Sequence, residues 1–320
     1  MKRIAVLTSG GDAPGMNAAI RAVVRAASYY NIEVYGVERG YMGLIEGDLH
    51  MMSRRNVSDT IQRGGTILRT ARCPEFNTYE GRKKAAESLA NRNIEGLVVI
   101  GGDGSFRGAN DFYNDFGVKT VGIPGTIDND LGYTDRTIGF DTAVNTALNA
   151  INNLRDTMSS HERVVIVQVM GRHSGQIALH AGLAGGAEVI LVPEHTVDFD
   201  DVASVLNRGT AVGKTSGIVV LAEGACPLEE AMTEIKTRTG LSLRSTVLGY
   251  IQRGGSPTMA DRVLASKLGI RAVQLLKENK GGVVVGSKGD DVIEMPIAEA
   301  LAVKPAFDEA LYEQAKMLSL

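Results

Sequence analysis

Short, nearly uninterrupted apolar runs recur along the chain. They lie at Ile4–Thr8, Glu33–Val37, Leu97–Ile100, Thr120–Ile123, Val164–Val169, Val189–Val192, Ile218–Ala222 and Val283–Gly286. Most have no room for a wet face, so they read as buried strands of parallel sheets. Between them, apolar residues recur at helical spacing over Gly15–Tyr29, Asp141–Thr157, Asp200–Val212 and Met259–Lys277. Strand–helix alternation of this kind predicts α/β layers. About eight strands fit two smaller sheets at least as well as one. The pentapeptide IQRGG occurs at residues 61–65 and again at 251–255. A distant repeat, chance or two similar turns would each account for it.

Composition narrows the class. A chain of 320 residues holds one large domain or two medium ones, and its 44% hydrophobic fraction is that of a globular protein. The net charge of −3 argues against a broad nucleic-acid-binding surface. Cys73 and Cys226 are too few and too scattered for a disulfide framework or a zinc site, which suits a reducing compartment. The opening MKRIAVLTSGGD meets glycines too early for a signal peptide, and no apolar run approaches the roughly 20 residues of a membrane helix. The expectation is a soluble cytoplasmic protein without membrane or nucleic-acid partners.

Chemistry gathers at the strand ends, where open α/β sheets bind ligands. The first run leads into TSGGDAPGMNAA (Thr8–Ala19), the third into GGDGSFRGA (Gly101–Ala109) and the fourth into PGTIDND at residues 124–130. Glycine admits close backbone approach, and helix amino ends favour phosphate. One such loop alone is more often a tight turn, but three of them, each with an aspartate, point to a ligand. Neither the Walker-type lysine loop nor the G-x-G-x-x-G spacing is present. Asp103, inside GGDG, suits a phosphate-bound Mg²⁺, which takes one or two carboxylates plus phosphate oxygens and water. Arg72, Arg163, Arg172, Arg244 and Arg253 lie beside glycines, short turns or strand starts. Each alone is an ordinary surface residue; together they suit a nucleotide and a sugar phosphate, because guanidinium grips phosphate by two hydrogen bonds. The five histidines show no metal spacing, and no G-x-S-x-G elbow is present.

In order and spacing, TSGGDAPGMNAAIR, TARCPEF, VVIGGDGS, PGTIDND, SSHERV, VMGRHSG, VLAEG and IQRGGSPTMADRVLAS resemble the bacterial ATP-dependent 6-phosphofructokinases, from residue 2 to at least residue 286. The resemblance implies two three-layer α/β/α domains with mostly parallel sheets and an active site in the cleft between them. The first would comprise residues 1–139 and 252–306, the second 140–251 and 307–320. It also implies a glycolytic homotetramer that transfers the γ-phosphoryl of ATP to the 1-hydroxyl of fructose 6-phosphate, with Mg²⁺.

By the same resemblance, ATP would lie at Gly11, Arg72, Cys73, Gly102, Asp103, Gly104 and Ser105. Tyr41, Phe76 and Gly108 match the nucleotide surroundings less distinctively. Asp103 would hold Mg²⁺, with Asp130 in support. Asp128 matches the catalytic base, Thr126 lies beside the transferred phosphoryl, and Arg172 stands near its charge. Thr126, Ile127 and Asp128 also face the sugar. Met170, Gly171, Arg172, Glu223, Tyr250 and Arg253 would hold it as well, with Arg163 and Arg244 reaching its phosphate from an adjacent subunit. A sugar hydroxyl must lose a proton as it attacks, which gives a strand-end aspartate its work. Without that company, PGTIDND would read as an Asx-turn.

Two neighbouring readings differ at named positions. Pyrophosphate-dependent relatives carry Asp where Gly104 stands and Lys where Gly125 stands; a second Asp would crowd and repel a nucleotide α-phosphate. GGDG also occurs in NAD kinases and diacylglycerol kinases, which lack the MGR and QRGGSP blocks. A non-catalytic sensor of nucleotides or sugar phosphates would have no need of Asp128. The resemblance further places Arg21, Arg25, Arg54, Asp59, Arg155, Gly186, Glu188 and Lys214 in an effector site for ADP or phosphoenolpyruvate, with Glu188 as a further Mg²⁺ ligand. From the sequence alone, Arg21 and Arg25, at i and i+4, are a solvated basic face. Three departures stand out: Tyr250 for the usual histidine, Val212 for the usual arginine and Thr215 for a common lysine.

Overall fold

Eleven strands form two sheets in the computed structural model, which describes residues 1–319. In chain order the strands are β1 (Arg3–Thr8), β2 (Glu33–Val37), β3 (Leu49–Met52), β4 (Gly96–Gly101), β5 (Lys119–Pro124), β6 (Val164–Val169), β7 (Val189–Leu191), β8 (Gly217–Ala222), β9 (Leu243–Val247), β10 (Val283–Lys288) and β11 (Asp291–Pro296). The helices are α1 (Met16–Tyr29), α2 (Tyr41–Glu46), α3 (Tyr79–Ala90), α4 (Asp103–Phe116), α5 (Phe140–His161), α6 (Gln176–Ala184), α7 (Phe199–Ala211), α8 (Leu228–Thr239), α9 (Met259–Lys277), α10 (Ile297–Ala302) and α11 (Glu309–Leu318).

The chain divides into two units. The first contains Met1–Ile127, Leu131–Asp141 and Arg253–Pro305; the second contains Asp128–Asp130, Thr142–Gln252 and the segment from Ala306 onward. The first unit holds a seven-stranded sheet in the order β11-β10-β5-β4-β1-β2-β3. Only its outer pairs, β2–β3 and β10–β11, are antiparallel. The second holds four parallel strands in the order β7-β8-β6-β9. β4 and β8 are buried at all six positions, as strands covered on both faces must be. The apolar core of the first unit joins Leu7, Phe76, Leu97, Phe106 and Phe112. That of the second joins Ile166, Leu206, Val219, Leu221 and Ile235.

All eight strands read from the apolar runs are present, as are the four helices. β3, β9 and β11 were not legible as runs. Each is an edge strand, with one side open to water, so its residues alternate or turn polar. α5 runs on to His161, beyond the expected Thr157.

A buried carboxylate organises the start of α5 within the first unit. Asp261, 2% exposed in the first turn of α9, accepts the Gly139 N–H at 2.9 Å. Its Cβ also faces Gly15, where α1 begins. We expect Asp261→Ala to lower unfolding stability by about 1–3 kcal/mol, the cost of a buried donor left without its acceptor, with Asp261→Asn costing less. Urea unfolding followed by circular dichroism measures this, and a change below about 0.5 kcal/mol for Asp261→Ala would remove Asp261 from this role.

Candidate active site

β1, β4 and β5 are neighbours in the first sheet, so their carboxyl ends lie side by side. From β1 the chain moves to β2 on one flank and later returns to β4 on the other, which makes the β1/β4 junction a topological switch point. The ladder continues past the strand ends: Ser9 N–H donates to the Ile100 carbonyl and Gly125 N–H to the Gly101 carbonyl, both at 2.9 Å. α1 and α4 follow from this edge. Both start on a glycine, Gly15 and Gly102, and neither has a side-chain cap. Thr78, Asp198, Thr258 and Asp308 cap α3, α7, α9 and α11 with their own side chains, whereas α2, α6, α8 and α10 are uncapped as well, so it is the position of α1 and α4 at the switch point that distinguishes them. Uncapped first turns at a switch point present free N–H groups and the positive end of the helix dipole to an anion.

Side chains of the first unit converge on that edge. Asp103 opens α4, and Arg107 grips it from the next turn at 2.8 and 3.2 Å. A Cβ placed on Gly102 would lie 3.7 Å from the Thr126 Cβ, so Thr126 stands against this loop. The Thr126 carbonyl accepts the Thr137 hydroxyl at 2.6 Å. Ser105 Oγ donates to Ser9 Oγ at 2.9 Å, joining the two glycine loops. Tyr41 donates its hydroxyl to the Ser105 carbonyl at 2.6 Å and stacks on Phe76, ring centroids 3.8 Å apart. A Cβ on Gly108 would touch both rings. Arg72 is exposed; Cys73 is half-buried, and burial pushes its thiol pKa up, which keeps it protonated. Arg253 lies over Gly11: a Cβ on Gly11 would strike its guanidinium, and its NH1 is 4.0 Å from Asp12. The Arg253 Nε makes no hydrogen bond among the described residues.

In the second unit, β6 and β8 are adjacent, and their carboxyl ends bring Met170, Gly171, Arg172 and Glu223 together. Glu223 accepts the Arg172 N–H at 2.9 Å, and its own N–H donates to the Val169 carbonyl at 2.9 Å. The Met170 N–H donates to Gln252 Oε1 at 3.3 Å. Asp128, 4% exposed, also belongs to this unit, and Arg172 Nε stands 3.6 Å from its Oδ2. Asn129 and Asp130 follow in the same short segment, whereas Ile127 ends the preceding stretch of the first unit. Arg163 and Arg244 sit at the other end of β6: Arg163 precedes it, and Arg244 pairs opposite Val165. A six-residue strand, about 17 Å long, separates them from Met170. Tyr250 is 83% exposed.

A third set surrounds Glu188. Its buried carboxylate pairs with Lys214 Nζ at 2.6 Å, has Arg155 at 3.9 Å and accepts the Ile218 N–H. Arg155 also donates to the Gly185 and Gly186 carbonyls at 2.6 and 2.7 Å. In the first unit, burial and the nearby Arg25 lower the Arg21 pKa, and Arg54 reaches α1 through Ser28 at 2.9 Å. Asp59 adopts φ 53° in the loop after β3. Val212 is 86% exposed.

No cluster of three or more carboxylate, histidine or cysteine side chains among the described residues could hold a metal by itself. A Mg²⁺ carried in by phosphates needs only one or two carboxylates. Asp103 fits such an ion. A carboxylate at a phosphate-facing helix start would repel phosphate unless a cation stood between them, and Arg107 already shows that the carboxylate takes a cation. Arg107 was not singled out in the sequence, although its i,i+4 spacing from Asp103 was visible there. Among the described residues, no helix is long and apolar enough to cross a membrane.

Comparison with known proteins agrees with this geometry. The phosphofructokinase family model matches residues 3–276. Two curated relatives, both named ATP-dependent 6-phosphofructokinase, cover all of this chain and are themselves covered in full: that of Clostridioides difficile is 58% identical and that of Clostridium tetani 59%. Phosphofructokinase from Saccharomyces cerevisiae superposes with a TM-score of 0.94 at 33% identity, over 98% of this chain and 50% of that longer one. The pyrophosphate-dependent phosphofructokinase from Marinobacter aquaeolei shares the fold, with a TM-score of 0.85 at 23% identity over 96% of this chain and 86% of that one. The chain belongs to the phosphofructokinase family.

Proposed function

We propose that this protein transfers the γ-phosphoryl of ATP to the 1-hydroxyl of fructose 6-phosphate, the glycolytic reaction, and that it does so as an oligomer, a tetramer by family likeness. The observation that carries the reading is the pair of glycine-headed, uncapped helices at the β1/β4 switch point, with Asp103 and Thr126 at the same edge. The loops after β1 and β4 would cradle the nucleotide phosphates through their N–H groups, with Arg72 and Cys73 beside it. Tyr41 fixes the Ser105 carbonyl and so the first turn of α4. Asp103, with Asp130 in support, would hold Mg²⁺, which when bound neutralises charge on the bridging phosphates.

Asp128 accepts the proton of the attacking hydroxyl. Its burial shields it from bulk water, and Arg172 beside it can divide its charge between the carboxylate and the equatorial oxygens of the transferring phosphoryl. Thr126 donates one further hydrogen bond. Met170, Gly171, Glu223 and Arg253 hold the sugar phosphate, and the unsatisfied Arg253 Nε gives that guanidinium reason to take an anion. Arg163 and Arg244, at the far end of β6, serve a neighbouring subunit's sugar phosphate.

ATP is favoured over pyrophosphate by the full-length relatives, which are ATP-dependent 6-phosphofructokinases, and by Gly104. A Cβ there meets nothing within 4 Å, so the protein itself tolerates a side chain, and only a bound ligand requires glycine. Gly125 differs: a Cβ there meets Ile100 at 3.0 Å and Met16 at 3.2 Å, so packing already asks for glycine. The Glu188 cluster reads as an effector site whose anion grip is reduced. Lys214 is engaged by Glu188, and Val212 supplies no charge.

Three results are expected. Asp128→Ser lowers kcat at least about 10²-fold with little change in ATP binding by calorimetry, and a near-normal kcat would remove the base role. Gly104→Asp keeps the melting temperature but lowers kcat/KM for ATP by about 10²-fold, as expected for a carboxylate facing an α-phosphate; unchanged ATP use would end the steric argument. Phosphoenolpyruvate inhibits weakly, and Val212→Arg strengthens the inhibition by about tenfold or more in half-maximal concentration. Strong inhibition of the natural protein at micromolar levels would overturn that reading.

A further inference from the structure

The twin pentapeptides touch. Gly64, in the first IQRGG, packs directly on Gly255, in the second: a Cβ on Gly64 would collide with the Gly255 carbonyl oxygen and lie 3.1 Å from its nitrogen. Ser256 Oγ crosses the junction to the Gln62 carbonyl at 2.8 Å, and Arg262 donates to that same hydroxyl at 2.9 Å. The first pentapeptide is itself tied to α1. Asn17, 1% exposed, donates to the Arg63 and Gly64 carbonyls, each at 3.1 Å, and accepts the Ile67 N–H at 2.7 Å. Further along, Thr8 Oγ meets Thr66 Oγ at 2.9 Å, and Thr70 donates to the Gly10 carbonyl at 2.8 Å.

These contacts close a circuit inside the first unit. It runs from Gly11 along the first glycine loop to Asn17, across to Gly64, onto Gly255, back along the chain to Arg253, and from its guanidinium onto Gly11. One link has no room for a Cβ, Gly64 on the Gly255 backbone; at Gly11 a Cβ would meet the movable end of the Arg253 side chain. The guanidinium lies over Gly11 without a close acid partner, so its place follows from where the chain at Arg253 stands; Asp12 is 4.0 Å away, and Nε has no hydrogen bond among the described residues.

We propose that Asn17 and Gly64 are positioning residues that set where the Arg253 guanidinium stands over the first glycine loop, and so tune sugar-phosphate binding. The inference rests on the role proposed above for Arg253. A Cβ on Gly64 must push the Gly255 backbone, two residues from Arg253, while β1 and α1 remain fixed by the sheet and core. The displacement falls on the sugar side and spares the nucleotide side.

The test is steady-state kinetics of the full chain, in a cycle of Gly64→Ala, Arg253→Lys and the double variant. Gly64→Ala should raise KM for fructose 6-phosphate about tenfold and leave KM for ATP within about twofold, because small displacements at a gripping group are costly. Added to Arg253→Lys, it should do little more, since both act through one group. Equal rises in both KM values, or effects that multiply in the double variant, would overturn the inference. Ser256→Ala removes only a hydroxyl and covers the case in which Gly64→Ala does not fold. It should raise KM for fructose 6-phosphate about threefold, and an unchanged value overturns the proposal. If Arg253→Lys binds fructose 6-phosphate normally, the reading of Arg253 fails and takes this inference with it. If Arg253→Lys is impaired but Gly64→Ala and Ser256→Ala are normal, only the positioning claim fails.

Discussion

Parallel pairing of β1, β4 and β5 is the constraint on which the rest depends. Parallel neighbours end on the same edge, so three strand ends, and the loops that leave them, must lie together. β1 donates chain to one flank of the sheet and β4 takes it up on the other, so the loops after them diverge and leave a crevice. Into that crevice point two helices that begin on glycine without side-chain caps. Four other helices carry such caps, while α2, α6, α8 and α10 also lack them, so what sets α1 and α4 apart is their place at the switch point, where amide groups can meet a ligand.

Charge is arranged to match. Carboxylates and cations meet in each proposed binding set: Asp103 with Arg107, Asp128 with Arg172, Asp12 with Arg253, and Glu188 with Lys214. An exposed pair such as Asp103 with Arg107 adds little to stability, about 0–1 kcal/mol. Asp103, Asp128 and Glu188 each have a cation beside them, whereas Arg253 has only the distant Asp12. Asp128 differs from Asp103 in being buried, which suits the base role proposed for it.

Much of this was legible in the sequence. The buried strands announce themselves because a strand covered on both faces needs apolar residues throughout, as in GLVVIG and GIVVLA. β3, β9 and β11 do not, because an edge strand keeps one side wet; LRSTV of β9 reads equally well as a loop. Asp103, Thr126 and Asp128 stand out because their neighbours are glycines at strand ends. Arg107 was visible by spacing but ordinary by type. The contact of Gly64 with Gly255, and of Arg253 with Gly11, joins residues far apart in the chain. A repeated pentapeptide shows that two segments are alike, not that they touch, and only the fold reveals that they do.

ATP-driven phosphorylation of a sugar phosphate is the activity on which the rest turns. The most direct measurement is a coupled assay for fructose 1,6-bisphosphate formed from fructose 6-phosphate with Mg²⁺, run once with ATP and once with pyrophosphate. Turnover with ATP and none with pyrophosphate is the expected result, since nothing at Gly104 opposes an α-phosphate. Turnover with pyrophosphate alone would contradict the donor assignment, and tight nucleotide binding without turnover from either donor would contradict catalysis itself.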